Sequence, residues 1–437
     1  MKKIALTLYA FATVFLLQAQ ESITLKECLE RGLEKNYSLR IIRGEEEISH
    51  NNATLANAGF LPTVDFSGGY DLSDNSSDTK STNGNVNKQR NALDQTARAG
   101  IDVNWTIFDG FNVSTTYKQL KEMQRIGETN TRIALEDFIA TLTAEYYNFI
   151  QQRIRLKNFF YAVKLSKERL RIVEERYHIG NFSRLDYQQA KVDFNADSAQ
   201  YLRQQEEVIT SRIALNELMA EEQVYSPLRT SDTIIDVDAT LNFTELWEGT
   251  LSNNAELLRA TQTSNLATLD YKKVLSRNYP YLKLNAGYDY GYNKYGKNTT
   301  NSRSNWGWNG GVTIGMNLWN GNRRREKRNA KIEIDNAKLQ CKQLELALKA
   351  DLGTLWQAYR NNLELLNLEK QNLVSAKENH EIAKERYMLG DLSGFEMREA
   401  QQSLLDAEER LLSAQYSTKI CEISLLQISG KITKYLE

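Results

Sequence analysis

Four stretches of the chain alternate apolar and polar residues with a period of two. Val64, Phe66, Gly68, Tyr70 and Leu72 alternate with Asp65, Ser67, Gly69 and Asp71. Ala97, Ala99, Ile101, Val103, Trp105 and Ile107 alternate with Arg98, Gly100, Asp102, Asn104 and Thr106. Leu282, Leu284, Ala286, Tyr288, Tyr290 and Tyr292 alternate with Lys283, Asn285, Gly287, Asp289 and Gly291. Trp306, Trp308, Val312, Ile314, Met316 and Leu318 alternate with Asn309, Gly311, Thr313 and Asn317. Successive strand side chains point to opposite faces, so each stretch predicts a strand with one apolar and one polar face. Each has about the length of a tilted membrane strand, roughly 9–11 residues. Trp105, Trp306, Trp308 and Trp319 fall in or beside these stretches, and with Tyr288 they read as an interfacial aromatic girdle. A soluble half-buried sheet gives the same alternation; the ring-rich outer faces favour lipid. The polar stretches Ser73–Asp94 and Asn293–Asn305 then become extracellular loops.

Four strands do not close a barrel, the smallest having about eight. An open edge in lipid leaves backbone groups unpaired. The chain must therefore assemble, and two, three or four copies would give about 8, 12 or 16 strands.

Elsewhere the period is helical. The pattern predicts helices over Thr24–Ala58 and Thr244–Arg277, long helices over Asn112–Ile179 and Asn322–Leu389, and further helices over Arg184–Ala220 and Gly394–Ile428. At 1.5 Å per residue each long helix spans about 100 Å. Leu135, Phe138, Leu142, Tyr146, Phe149, Leu156, Phe160, Val163, Leu170, Val173 and Tyr177 step by three, four or seven, as do Leu352, Leu355, Tyr359, Leu366 and Leu373, with Ala383 and Tyr387 continuing the second series after a step of ten. That is the rhythm of supercoiled helices.

The same order occurs twice, which decides how the rest is read. Leu33, Asn36 and Leu39 match Leu251, Asn254 and Leu257, and Pro62 matches Pro280 at the same spacing. Arg176-Tyr177-His-Ile-Gly180 matches Arg386-Tyr387-Met-Leu-Gly390. We divide the chain into a leader (1–19), a first structural repeat (20–223), a connector (224–243) and a second repeat (244–437).

Composition then narrows the class. The 437 residues include only three prolines, against about 22 at the usual ~5 %. Proline breaks helix interiors, so its scarcity permits long helices. Pro62 and Pro280 mark helix-to-strand junctions, because the residue before a proline favours extended chain. Charged residues make up 25 %, which excludes a multi-span helical membrane protein. A net charge of −1 argues against nucleic acid as a partner. Lys2, Lys3, the apolar run Ile4–Leu17 and Ala19 form a secretory signal. Cys28, Cys341 and Cys421 make no disulfide framework, and His50, His178 and His380 lack metal-site spacing. We find no catalytic constellation, no metal site and no cofactor motif.

The leader, the doubled helix–strand–strand–helix–helix order and the Arg-Tyr-x-x-Gly turns closely resemble the TolC family of outer-membrane channel proteins. The resemblance covers nearly the whole mature chain. It implies a mainly α fold with a membrane β part. A long coiled-coil helical barrel would carry four strands per chain, contributing to a trimeric 12-stranded barrel in the outer membrane. It also implies a homotrimer in outer-membrane lipid that extends into the periplasm. Such a trimer docks on a periplasmic adaptor (membrane fusion) protein and an inner-membrane pump, and exports drugs, other small molecules or proteins. The chain would be a passive duct of a tripartite efflux system rather than an enzyme. A type I protein secretion duct is one alternative. A periplasmic coiled-coil scaffold or adaptor without a barrel is another.

By the same resemblance the turns at Gly180, Phe182, Ser183, Gly390, Leu392 and Ser393 are the tips that meet the adaptor. Independently, each reads as a helix-ending Gly followed by an N-capping Ser. Glu396 and Glu399 match the paired acids that face the closed pore, with Asp186 and Gln189 equivalent in the first repeat; a solvated helix face is the plainer reading. Arg323-Arg324-Arg325-Glu326-Lys327-Arg328 follows the last strand, where cations near anionic lipid gain about 1 kcal/mol each. Unaltered insertion after their substitution would count against lipid contact.

Overall fold

The computed structural model describes residues 22–296 and 300–436. The expected leader lies outside these residues. The elements run β1 (Ser22–Ile23), α1 (Leu25–Lys35), α2 (Tyr37–Asn52), α3 (Leu55–Ala58), β2 (Thr63–Lys80), β3 (Val86–Asp109), α4 (Asn112–His178), α5 (Arg184–Leu218), β4 (Arg229–Thr230), α6 (Phe243–Asn253), α7 (Ala255–Ser276), β5 (Tyr281–Lys294), β6 (Ser302–Gly315), α8 (Arg323–Leu389), α9 (Gly394–Ile428) and a 3-10 turn, Ile432–Leu436. The fold is mainly α with one four-stranded antiparallel sheet. No helix among the described residues is long and apolar enough to cross a membrane.

The two expected leading helices are each broken by an asparagine. Asn36 separates α1 from α2: its Oδ1 accepts from the backbone N–H of Ser38 and Leu39, while its Nδ2 donates to the Leu218 carbonyl. Asn254 separates α6 from α7 in the same manner, accepting from Leu257 N–H and donating to the Ile428 carbonyl. An asparagine side chain competes with the helix for backbone partners. Here it also ties the break to the end of α5 or α9.

The chain forms two compact units. The first takes the described residues of Met1–Gly44, Thr129–Leu258 and Lys342–Glu437. Its largest core gathers Cys28, Leu29, Leu142, Tyr146, Phe149, Ile150, Leu215 and Met219. Tyr146 O–H donates to Asp232 at 2.8 Å, fixing the connector, whose β4 pairs in parallel with β1. Burial pushes the Cys28 thiol up to about 12, so it packs as a small apolar group. A smaller cluster sets Leu246 and Leu425 against the heptad residues Leu352 and Tyr359. Nearby, Lys419 and Glu422 form a buried ion pair at 2.8 Å. Phe160, expected in the heptad seam, is exposed instead; it packs on Tyr201 and under the Lys164 ammonium.

The second unit takes Glu45–Glu128 and Arg259–Cys341 and contains the sheet. Strand order is β2-β3-β5-β6. Two expectations about it change. Ser73–Asp94 is mostly not a loop: Ser73 pairs with Asp94 and Lys80 with Val86, so the hairpin ladder continues to a tight turn. Here both faces are polar, and sequence alternation carries no signal for the pairing. In addition, β6 stops at Gly315, leaving Met316, Leu318 and Trp319 exposed beyond it. Its partner β5 begins only at Tyr281, after Pro280, which has no N–H for a ladder.

Candidate functional site

The pairing register puts the four alternating stretches on common faces. Phe66 lies opposite Ile101, Ile101 opposite Tyr288, and Tyr288 opposite Trp308. The next apolar row is Val64, Val103, Ala286 and Gly310. Leu284 pairs with both Trp105 and Val312. The interleaved rows are polar: Asp65, Asp102, Gly287, Asn309, and then Ser67, Gly100, Asp289, Gly307. One face of the sheet is thus apolar across every strand and the other polar. From Leu282 to Tyr292 the band measures about 34 Å along the strand at ~3.4 Å per residue. Strands tilted by 35–45° reduce that to roughly the 25 Å of an outer-membrane apolar band.

Aromatic rings flank the band. The Tyr288 and Trp308 rings lie 4.8 Å apart in the Ile101 row near the middle of the band, and Tyr290 pairs with Trp306 one row nearer the hairpin end. At the helix end Trp105 Nε1–H donates to the Phe60 carbonyl at 2.8 Å, and Phe108, Phe111 and Tyr279 stack edge-to-face. Trp319 lies in the exposed β6–α8 segment. Pro62 and Pro280 directly precede β2 and β5. Of the basic cluster, Arg323 donates to the Arg277 carbonyl and Glu326 pairs with Arg277; Arg324, Arg325, Lys327 and Arg328 are exposed.

In the first unit, α4 and α5 meet in one turn and α8 and α9 in another. Gly180 (φ +85°) and Gly390 (φ +88°) adopt the left-handed conformation that favours glycine. Each turn closes with paired bonds: Gly180 N–H to Tyr177 O and Asn181 N–H to Arg176 O, then Gly390 N–H to Tyr387 O and Asp391 N–H to Arg386 O. This is the Schellman arrangement. Ser183 and Ser393 then cap α5 and α9, with Asp186 and Glu396 completing reciprocal capping boxes.

Asp186 and Glu396, expected at the constriction, therefore already hold their own helix starts. Ser393 O–H and N–H donate to the Glu396 carboxylate at 2.7 and 2.9 Å. These bonds, with Arg386 nearby, hold its carboxyl below the ordinary carboxylate value. Glu399 is exposed and lines one groove with Glu396, Arg386 and Leu392; Gln189 is exposed and donates to Asp193. A depressed folded pKa contributes stability above the ordinary carboxylate range, and that contribution is lost as pH falls through the folded value. We expect the amides of Glu396 and Met397 to lose hydrogen-exchange protection on acidification below pH 4. Constant protection factors would contradict this.

Phe182 and Leu392, expected to face a partner, are half-buried. Arg176 covers the Phe182 ring, and Leu392 packs on the cluster of Val173, Tyr387 and Met397. Exposed apolar side chains at equivalent positions are Ile179 and Leu185 at one turn and Leu389 and Phe395 at the other, with Met388 also exposed beside Leu389. Sequence reasoning missed these four, although they occupy equivalent positions in the two Arg-Tyr-x-x-Gly turns.

It also missed the buried ions just beyond. Asp197 accepts two bonds from Arg398, both 2.7 Å, joining α5 to α9, and Arg169 pairs with Asp193. The available signal was the spacing: Ala190, Asp197, Gln204 and Ser211 are all buried one heptad apart. No group of potential metal ligands occurs among the described residues.

The comparisons agree with this geometry. A model of the outer membrane efflux protein family matches residues 29–221 and 246–431. The chain is 23 % identical over 449 residues to outer membrane protein TolC of Vibrio cholerae, covering 99 % of this chain and 97 % of that protein. Its fold resembles the Campylobacter jejuni CmeC outer membrane channel at a TM-score of 0.76 and 17 % identity, over 93 % of this chain and 85 % of that one. It also resembles the outer membrane protein VceC of Vibrio cholerae at 0.73 and 16 %, over 93 % and 96 %. The matched family model spans most of both halves, and the chain belongs to the outer membrane efflux protein family, as a channel protein of the outer membrane that extends into the periplasm and not an enzyme.

Proposed function

We propose that three copies of this chain close a 12-stranded barrel and form the passive exit duct of a tripartite efflux system for drugs or other small molecules. The two structural repeats, 20–223 and 244–437, would each contribute two strands and a helical wall. An inner-membrane pump would supply the energy through a periplasmic adaptor. The observation that carries this reading is a sheet with one continuous apolar face, one continuous polar face and two edges, β2 and β6, that no further strand among the described residues pairs. That sheet has no use in a soluble scaffold, which disfavours the adaptor alternative. A protein secretion duct shares the geometry and is separated by phenotype.

A strain lacking this chain should accumulate a fluorescent dye several-fold and regain export with the wild-type chain. Leu389→Asp combined with Phe395→Asp should insert normally yet fail to restore export, because the exposed tip residues are the proposed adaptor contact. Normal dye efflux together with a lost secreted protein would favour the secretion reading.

In the trimer, Glu396 and Glu399 with Asp186 and Gln189 would ring the entrance, drawing cations and repelling anions. Glu396→Gln with Glu399→Gln should lower cation preference in single-channel recordings. Because Glu396 also caps α9, Glu399→Gln alone should produce most of the change. Unchanged selectivity in both would remove the ring.

A further inference from the structure

The start of α8 carries an unbalanced charge. Between Trp319 and Ile332 stand Arg323, Arg324, Arg325, Lys327, Arg328 and Lys331, against one acid, Glu326. Arg277 pairs with that acid at 2.9 Å, and Arg323 donates to the Arg277 carbonyl at 2.8 Å. The other five cations are exposed, without a hydrogen-bond or ion-pair partner among the described residues. Five like charges within eight residues repel one another, and the positive end of a helix dipole is an unfavourable place for them.

The matching start of α4 is balanced in the ordinary way. There Asp109 accepts from the Val113 N–H at 3.0 Å and from the Asn112 Nδ2 at 2.9 Å, and the residues from Asn112 to Tyr117 are uncharged. In α8 the place of Asp109 is taken by Asn320, whose side chain accepts from the Asn322 N–H at 2.9 Å but brings no charge. The second repeat thus lacks the carboxylate and adds the cations, so no common need of the fold explains them. Arg324, Lys327, Arg328 and Lys331 fall within about 100° of one another around the helix and along ~10 Å of its axis. Arg323, Glu326, Ala330 and Ile334 form the half-buried side. Just before the helix, Leu318 and Trp319 are 86 % and 85 % exposed, at the helix end of the apolar band. A Trp at the edge of such a band sits at the level of lipid headgroups, a layer about 5–8 Å deep on each side of the hydrocarbon. The long stems of Arg and Lys reach across that depth.

We infer that the start of α8 is a binding surface for the phosphate groups of anionic phospholipid, in the leaflet that borders the helix end of the sheet. The inference rests on the proposed membrane barrel and names a lipid held at its rim. Charge selects the ligand: the exposed cations offer donors and no acceptor, and guanidinium groups match the oxygens of a phosphate in pairs. Leu318 and Trp319 select its source, since they can cover the acyl chains next to the headgroup, and a free phosphate ion has no use for them. Each chain carries one such surface, beside its edge strand β6.

Native mass spectrometry of the full-length protein, released from nanodiscs holding equal amounts of phosphatidylglycerol and phosphatidylcholine, reads the oligomer and its bound lipid together. The wild-type trimer should retain phosphatidylglycerol in preference. It should lose that preference when lipid is exchanged at about 1 M salt, where charges are screened beyond ~3 Å. Arg324→Gln with Arg328→Gln and Lys331→Gln should lower the preference by about ten-fold or more. Fewer copies of this variant should reach the membrane, so lipid is counted per assembled trimer. Arg324→Lys with Arg328→Lys should keep the preference, as should Lys167→Gln with Lys191→Gln and Lys377→Gln, which removes three exposed lysines elsewhere. Excess inorganic phosphate should not displace the lipid. A wild-type trimer without the preference, a triple variant that keeps it, or displacement by phosphate overturns the lipid surface alone. The wild-type arms need no variant, so a triple variant that fails to insert leaves the test decided by them. A wild-type trimer without the preference whose triple variant falls into single chains would assign the cations to a neighbouring copy. A wild-type monomer overturns the barrel reading and the lipid surface with it.

Discussion

Ile101→Arg removes most of the membrane-inserted protein, whereas Asn104→Arg, three residues along the same strand, leaves it in place. Ile101 occupies the middle of the apolar band on the central strand β3, flanked by Phe66 and Tyr288. An arginine facing lipid at the midplane costs about 2–4 kcal/mol. In an assembly of identical chains every copy carries that cost, which is large against typical stabilities of ~5–15 kcal/mol. Asn104 lies on the polar face, opposite Thr63 and Asn285, where a charge meets water. The measurement is the amount of each variant in the outer-membrane fraction after alkaline washing. Equal tolerance of both substitutions would mean that neither face of the sheet meets lipid.

Lys419→Met destabilises the helical unit by about 3–5 kcal/mol, because removing one partner strands a buried charge. The Lys419 ammonium lies 2.8 Å from Glu422 and between the Tyr147 and Tyr435 rings. Without it the Glu422 carboxylate keeps only the Tyr435 O–H and the Asp238 N–H, at 2.8 and 2.9 Å. The pair therefore joins α9 to the connector and to the C-terminal turn. We expect the thermal midpoint of this unit to fall by about 6–10 °C, at roughly 2 °C per kcal/mol for a unit of this size. Lys419→Met with Glu422→Gln should recover most of the loss, since the uncompensated charge is then gone. A single substitution without effect would mean that water reaches the pair.

The sequence made the sheet and the long helices legible for a physical reason. Where one face meets lipid or a helix core, burial imposes a period, and Phe66, Ile101, Tyr288 and Trp308 obey it. Where both faces meet water, no period survives, and the ladder from Ser73 to Asp94 was invisible. The breaks at Asn36 and Asn254 were equally hidden, because those side chains act through carbonyls about 180 residues away. At the turns, spacing located Gly180 and Gly390 but gave no directions for side chains. Phe182 and Leu392 are partly covered by their own chain, while Ile179, Leu185, Leu389 and Phe395 stay outside. Asp197 was passed over, because its partner Arg398 lies 201 residues away along the chain.

The central claim is that this chain holds one part of a barrel that only further copies complete. The most direct test is the number of chains in the detergent-extracted particle, measured by light scattering with the detergent subtracted. The account predicts a mass near three times that of the 50.2 kDa chain, less the leader if it is removed. A particle of one chain that stays soluble and folded with β2 and β6 unpaired would contradict it.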